Sequence, residues 1–411
     1  MRVRQSFALT VIVAALAACG PAAPEAPAPR TGAAKLPAPE RVPPLEPASE
    51  APVASPPPPA PAEPPEERLD GHTLDALGVP AVADTAPGAA KMRVHLIDVG
   101  QGAATLFEFS CGTVLVDTGG ETNPEFDSGA ALRAYLDDFF AHRTDLKRTL
   151  DLVVLSHPHI DHTRNVQAII ETFTVKNLVT NGMTTGSGGP QQKWAQDWAR
   201  KHARLETIDG VLVHAGGKTS KTIDPIKCQD EDPKIAALWG ALSKRPEGWT
   251  ADAFGNANNH SVVLRIDFGR ASFLVSGDLE EDAIDSLIEK HRQTKALDID
   301  VWEVSHHGSN NGANPALIDA LTPLIALLAT GPPERKVAWT AWQYGHPRKP
   351  TVDLLTSTIT RTRRTHDVQV ATAPATFEPY SLRRAVYATG WDGNVLVAAK
   401  SDGTYRVLTA K

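Results

Sequence analysis

The chain is poor in cysteine and methionine, with three of each among 411 residues, and only 6% of it is aromatic. Three cysteines leave room for at most one bridge once Cys19 is set aside for a reason given below. The remaining pair is Cys111 and Cys228, and spacing alone does not show that they are close. Positive charge is also in deficit: 41 Lys and Arg stand against 48 Asp and Glu, a net charge of −7. No long basic run occurs, although Arg361, Arg363 and Arg364 cluster, as do Arg383 and Arg384. The strongly basic footprint of a nucleic-acid-binding protein is therefore missing. A solvated surface accounts for the two arginine clusters as well as a phosphate site does. Beyond residue 19 no apolar run is long enough to span a bilayer.

What is present begins at the N-terminus. Arg2 and Arg4 precede an apolar stretch from Phe7 to Ala18, the pattern of a secretory signal peptide over residues 1–18. The stretch ends Leu16-Ala17-Ala18-Cys19, which resembles a bacterial lipobox. The resemblance implies that Cys19 is lipidated and that the membrane is a partner through its acyl chains. An ordinary cleaved signal with a chance cysteine is the alternative. Residues 19–90 are Ala-, Pro- and Glu-rich, and about half of the 33 prolines lie there. With little beyond Ala to bury, the segment is expected to be a disordered tether. At about 3 Å per residue it would reach on the order of 200 Å. A short motif from Asp70 to Leu77 has helical character and no assigned role. The folded part is expected over residues 91–411, ample for one large core.

Alternation and β-branched content predict strands near 92–98, 104–109, 113–117, 152–155, 262–268, 272–276 and 301–304. Apolar residues at three-four spacing predict helices near 129–140, 163–172, 191–202, 280–290 and 315–321. Interleaved strands and helices argue a layered α/β protein. No internal repeat is visible.

The most informative stretch is Ser156-His157-Pro158-His159-Ile160-Asp161-His162, directly after the apolar run Leu152-Val153-Val154-Leu155. A buried strand that ends in such a loop can aim several side chains at one point. Imidazole and carboxylate together suit zinc, iron or manganese. His157 and His159 are two apart and point the same way from an extended segment, so they can share one ion. Asp161 and His162 follow the turn and can reach a second. Two further strand ends supply ligand types. Ser276-Gly277-Asp278 places a carboxylate before a helix, where a helix cap is the competing role. Val304-Ser305-His306-His307-Gly308 ends another apolar strand in histidines, and Tyr344-Gly345-His346-Pro347 carries one more.

The spacing His157-x-His159-x-Asp161-His162 resembles that of the metallo-β-lactamase superfamily. Further segments occur in the order seen in the hydrolase domain of ComEC-like competence proteins. They are Asp98-Val99-Gly100-Gln101-Gly102, Leu115-Val116-Asp117-Thr118-Gly119, Asn258-Asn259-His260-Ser261, Ser276-Gly277-Asp278, His306-His307-Gly308-Ser309, Gly345-His346-Pro347 and Ala388-Thr389-Gly390. The resemblance implies a four-layer αββα sandwich with a dinuclear site at one sheet edge. It implies two divalent ions, zinc first, with manganese or iron as alternatives. His157 and His159 would ligate the first ion, Asp161 and His162 the second, and Asp278 both. His306 or His307 would complete the second site, with His306 preferred. A hydroxide activated by the ions would attack a phosphoryl or carbonyl centre. His346 would serve the leaving group, and Asn259 and His307 are the candidate substrate contacts.

The implied function is an exported, membrane-anchored metal-dependent hydrolase of small or polymeric phosphodiesters, in the periplasm or at the cell surface. The location and acidic balance suit a cell-envelope phosphodiester at least as well as nucleic acid. With no spanning run, a stand-alone hydrolase module is expected and not a pore. Four departures from the family pattern bear on this. Ala103 stands where Asp usually follows Gly-Gln-Gly, and Arg164-Asn165 replace a common Gly-Gly. The third histidine of β-lactamases is missing, with Asn259 and His260 near its place. Residues 181–255 form an insertion with Trp194, Trp198, Trp239 and Trp249, readable as a lid or as an extra packed subdomain. The missing histidine weakens the alternative of a β-lactamase-like amide or ester hydrolase. Arg164-Asn165 supports a catalytically impaired binding module, against which stands the intact ligand set.

Overall fold

The computed structural model describes residues 91–411. The expected signal peptide, Cys19 lipidation, tether and Asp70–Leu77 motif lie outside the described residues. Two sheets organise the rest. The first has eight strands, Arg204–Thr207, Asn177–Thr180, Leu152–Leu155, Thr113–Val116, Thr105–Glu108, Lys91–Leu96, Val395–Lys400 and Tyr405–Thr409 in spatial order. The second has six, Lys234–Trp239, Val263–Phe268, Ala271–Val275, Val301–Glu303, Ile325–Leu328 and Val386–Ala388.

Period-two alternation sorts the first sheet's side chains to two faces. Val114, Val116, Leu152 and Val154 join the core shared with Leu264, Ile266, Phe273 and Val275 of the second sheet. Leu115, Val153, Leu155 and Leu178 face the other way, onto Leu132, Tyr135, Leu136 and Phe139 of the helix Ser128–His142. That helix starts where Asp127 Oδ1 accepts from the amides of Gly129 and Ala130, an N-cap. The outer face of the second sheet is covered by Glu281–His291, Pro315–Leu321 and Lys349–Thr358, through Ile284, Leu287, Leu317, Ile318, Val352 and Leu355. Helices, sheet, sheet and helices make the expected four-layer αββα sandwich.

Strand direction places the site. Thr113–Val116, Leu152–Leu155, Asn177–Thr180 and Arg204–Thr207 run parallel. So do Ala271–Val275, Val301–Glu303, Ile325–Leu328 and Val386–Ala388 in the second sheet. The carboxyl ends of these strands carry Asp117, the Ser156–His162 loop, Asp278 and His307. Val262 N donates to Ser156 O at 2.8 Å, so the two sheets meet at that edge.

The segment 181–255 is woven into the sandwich, and its Gly186-Ser187-Gly188 turn lies against the Ser156–His162 loop. Its helix Gly189–His202 buries Ala195 and Ala199 against the first sheet. Its strands Arg204–Thr207 and Lys234–Trp239 form an edge of each sheet. Trp239 and Trp249 sit in the inter-sheet core, while Trp194 and Trp198 pack on the helical side. Cys111 and Cys228 form a disulfide that ties the turn before Thr113–Val116 to this segment. The helix expected over 163–172 begins only at Val166, because the Asn165 amide bonds outward to Thr118 O at 2.9 Å. No helix among the described residues is long and apolar enough to cross a membrane.

Candidate metal centre

The loop after Leu152–Leu155 is held from below by backbone. Asp161 O accepts from the amides of Ala103, 3.1 Å, and Gly120, 3.0 Å, and His162 O accepts from Thr118 N at 2.9 Å. Gly119 is required by this approach, since a Cβ there would lie 1.5 Å from Asp161 O. From above, the Gly186-Ser187-Gly188 turn closes on the loop: Gly188 N reaches Pro158 O at 2.9 Å and Ser187 Oγ accepts from Ile160 N at 3.0 Å.

The loop and two other strand ends converge in two donor groups. Asp161, His162, Asp278 and His307 make one; His157, His159 and Asp278 make the other. Asp278 is common to both. His157 Nε2 lies 3.1 Å from His159 Nδ1, and His162 Nε2 lies 3.2 Å from His307 Nε2. Asp278 Oδ1 is 3.1 Å from His162 Nε2, and its Oδ2 is 3.5 Å from His307 Nε2 and 3.8 Å from His157 Nε2. Asp161 Oδ2 is 3.4 Å from His307 Nε2.

Hydrogen bonds behind the rings decide which nitrogen faces inward. Asp117 Oδ2 lies 2.7 Å from His162 Nδ1 and 2.7 Å from Ser156 Oγ, which donates to it. Ser156 Oγ is then free to accept from His157 Nδ1, 3.1 Å away. His307 Nδ1 donates to Ala329 O at 2.6 Å. Each of these three rings thus spends its Nδ1–H outward and turns an Nε2 lone pair into the cluster. Facing lone pairs about 3 Å apart repel unless a cation stands between them. Two ligands each about 2.0–2.1 Å from a tetrahedral ion are about 3.3 Å apart, close to the separations found here. The residues therefore fit two divalent ions.

The field of the cluster favours positive charge, which without a metal is a proton on the inward nitrogen of His162 or His307 and which a metal cation would replace. Burial opposes charge on His162, but Asp278 and Asp117 outweigh it and hold its pKa well above the usual value. Burial likewise opposes His307, yet Asp278 and Asp161 push it up to about 10. Burial would raise Asp278; His162 and His307 hold it well below the carboxylate range. Burial, joined by the neighbouring His162, lowers His157.

Of the adjacent pair at 306 and 307, the structure brings His307 into the group and leaves the preferred His306 outside it. Both residues adopt left-handed backbone, φ 51° and 54°. The reversal turns His307 inward and His306 toward Asn311 Oδ1, 2.9 Å, and Glu280 Oε1, 3.5 Å. Left-handed backbone costs roughly 1–2 kcal/mol per non-glycine residue, so the placement of His307 is held against local preference. Asn259 is buried and committed: its Nδ2 donates to Ala253 O at 3.0 Å and its Oδ1 accepts from Glu280 N at 3.2 Å. It is therefore corrected from a substrate contact to a structural brace. His260 is equally engaged, accepting from Leu242 N at 2.9 Å and lying 2.7 Å from Phe254 O.

His346 stacks on His307 with ring centres 6.0 Å apart. Gln101 Nε2 donates to His346 Nδ1 at 3.3 Å, and Thr330 Oγ1 donates to Gln101 Oε1 at 3.3 Å. With Nδ1 accepting, the neutral ring carries its proton on Nε2. Burial first, then the charges of His307 and His306, keeps His346 well below its usual pKa. Sequence reasoning left Asp117, Ser156 and Gln101 without roles, although all three lie in the motifs that carry the resemblance. Tyr344 stacks on His346 at 5.9 Å. Burial first, then the charge of Asp161, raises its pKa.

Among known proteins, the chain is 26% identical over 285 residues to ComE operon protein 3 of Bacillus subtilis, covering 66% of this chain and 32% of that protein. It is 24% identical over 253 residues to the uncharacterized protein YcaI of Escherichia coli, covering 62% and 26%. The chain thus spans about a quarter to a third of these curated relatives. The metallo-beta-lactamase fold protein YhfI from Bacillus subtilis matches 58% of this chain and 85% of its own, at 13% identity and a TM-score of 0.33. The motif order resembles that of ComEC-like competence proteins, and ComE operon protein 3 is among the curated relatives. The family model for the metallo-beta-lactamase superfamily matches residues 97–331, over half of the chain and both donor groups, and the chain belongs to that superfamily.

Proposed function

We propose that this chain is an exported metal-dependent hydrolase of phosphodiesters. The observation that carries the reading is Asp278, a buried carboxylate common to two donor groups whose inward lone pairs face one another. Divalent ions held there, zinc with manganese or iron as alternatives, would act as Lewis acids and bring the pKa of water toward neutrality. His157 and His159 would hold one, Asp161, His162 and His307 the other, and Asp278 both. The remaining work belongs to the chain. Asp117, Ser156 and Ala329 O fix the ring orientations. His346, kept neutral and carrying its proton on Nε2, would offer that N–H as a hydrogen bond to the leaving oxygen, with Gln101 steadying its ring.

The phosphodiester class is supported by the ComEC-like motif order and by the Arg164 cation beside the loop. Because the chain covers 32% of ComE operon protein 3, nothing of that protein's wider role is carried over. Against a β-lactamase reading, Asn259 and His260 near the place of the third histidine are engaged elsewhere. Export is supported by the Cys111–Cys228 disulfide, since such bonds persist in oxidising compartments. The signal-like residues 1–18 and Cys19 agree with it. Purified protein supplied with zinc or manganese should cleave bis-p-nitrophenyl phosphate and leave nitrocefin intact. The reverse preference would replace this reading with the lactamase one. Cys19→Ser should release the protein from membranes, and unchanged membrane association would refute the lipid anchor.

A further inference from the structure

Trp339 is the most exposed large apolar side chain among the described residues, at 68%. A lone exposed tryptophan needs no explanation, but this one is held out deliberately. Its backbone is left-handed, φ 63°, a conformation that a bulky side chain rarely adopts and that marks functional sites when the surroundings enforce it. The surroundings do enforce it. The next residue, Thr340, is fully buried and its Oγ1 donates to Val337 O at 2.8 Å and Arg335 O at 2.9 Å. Arg335 in turn pairs with buried Glu121 and lies 4.3 Å over the Phe126 ring.

From this indole a row of rings runs inward to the donor groups. Trp339 is 6.4 Å from Tyr344, Tyr344 is 5.9 Å from His346, and His346 is 6.0 Å from His307. The charge beside the row is also distinctive. Arg164 replaces a glycine of the family pattern two residues after His162. Its Nε donates to Gly120 O at 2.8 Å, which pins the stem, and among the described residues its guanidinium has no carboxylate partner. Gly120 adjoins Glu121, the partner of Arg335, so Arg164 and the support beneath Trp339 meet on the same turn. A pinned guanidinium without a partner beside a metal-type cluster is suited to an anionic oxygen. The outer part of the row, exposed Trp339 and half-buried Tyr344, is suited to a flat π-face, a pairing worth having for any base or aryl group.

We propose that Trp339, Tyr344 and Arg164 form a substrate subsite that takes a planar aromatic group while Arg164 meets the phosphate attached to it. The proposal narrows the substrate class of the hydrolase reading to aryl- or base-bearing phosphates and rests on that reading only for its kinetic readout. Equilibrium binding by calorimetry on the full-length protein tests it directly. Adenosine 5′-monophosphate should bind about tenfold or more tightly than ribose 5-phosphate. Trp339→Ala should remove most of that preference, Trp339→Phe should restore much of it, and Arg164→Gln should weaken both ligands alike. A preference ratio unchanged in Trp339→Ala, or equal affinities in the parent protein, would overturn the subsite. The kinetic arm compares hydrolysis of the methyl diesters of adenosine 5′-monophosphate and of ribose 5-phosphate, which differ only in the base. Trp339→Ala should lower the ratio of their kcat/KM values about tenfold, and an unchanged ratio would count against the subsite. Cleavage of neither ester would refute the hydrolase reading, while the binding ratio would still decide the subsite.

Discussion

Two buried clusters in this protein join histidine to carboxylate, and they are wired in opposite ways. In the first, His95 lies between Tyr135 Oη, 2.7 Å from its Nδ1, and Glu108 Oε2, 3.2 Å from its Nε2. Arg93, 3.2 Å away, and Arg143 then neutralise Glu108. Every imidazole nitrogen has a partner and the chain supplies its own cations. In the second, His157, His159, His162 and His307 surround Asp161 and Asp278, no lysine or arginine among the described residues pairs with either carboxylate, and the ring lone pairs face each other. The first is a closed network that stabilises the sheet. The second is completed only by cations from outside. A histidine–carboxylate cluster is thus diagnosed by its unspent lone pairs and not by its composition.

The contrast can be broken at several points. Asp278→Ala removes the ligand common to both groups. It should lower phosphodiester cleavage about a thousandfold or more, a loss of several kcal/mol of transition-state stabilisation, and bring metal content below one ion per chain. Elemental analysis alongside an ester assay checks it. His307→Ala should also deplete one ion, whereas His306→Ala should leave metal content unchanged; equal depletion would show that the ring assignment is reversed. Asp117→Asn keeps the shape behind His162 but removes the charge. Metal affinity should fall roughly 10–100-fold in a chelator competition.

The closed cluster should respond in stability alone. Burial would raise Glu108, yet His95, Arg93 and Arg143 outweigh it and hold its pKa at about 2 against an ordinary 4.5. Above pH 4.5 the carboxylate is ionised whether folded or unfolded, and the full benefit is present. As pH falls from 4.5 toward 2 the unfolded chain takes up the proton first, and the benefit is lost. Glu108→Gln should therefore cost roughly 2–4 kcal/mol at pH 7, shrinking toward zero near pH 2, with metal content unaffected. Denaturant melts across that range measure it.

Much of this was legible before the structure. Period-two strands and the ligand-type residues at their ends announced a layered α/β sandwich, and Asp161, His162, Asp278, His157 and His159 do lie together. What escaped detection depends on backbone geometry or on distant contacts. Nothing in His306-His307 tells which ring turns inward, because two successive left-handed residues decide it. Arg204–Thr207 and Lys234–Trp239 read as insertion because edge strands show weak alternation, with Arg204 and Thr207 exposed. Asn259 looked available as a contact until Glu280 and Ala253 claimed it. Gln101 and Asp117 act through partners far along the chain, His346 and His162, that no local pattern reveals.

The central claim is that the open cluster is a two-metal hydrolytic centre. Its most direct test is the number of divalent ions per chain in protein purified without chelator, measured together with hydrolysis of bis-p-nitrophenyl phosphate. The account predicts close to two ions per chain and turnover that vanishes on chelation and returns with zinc or manganese. Less than one ion per chain, with no cleavage after either metal is added, would contradict it.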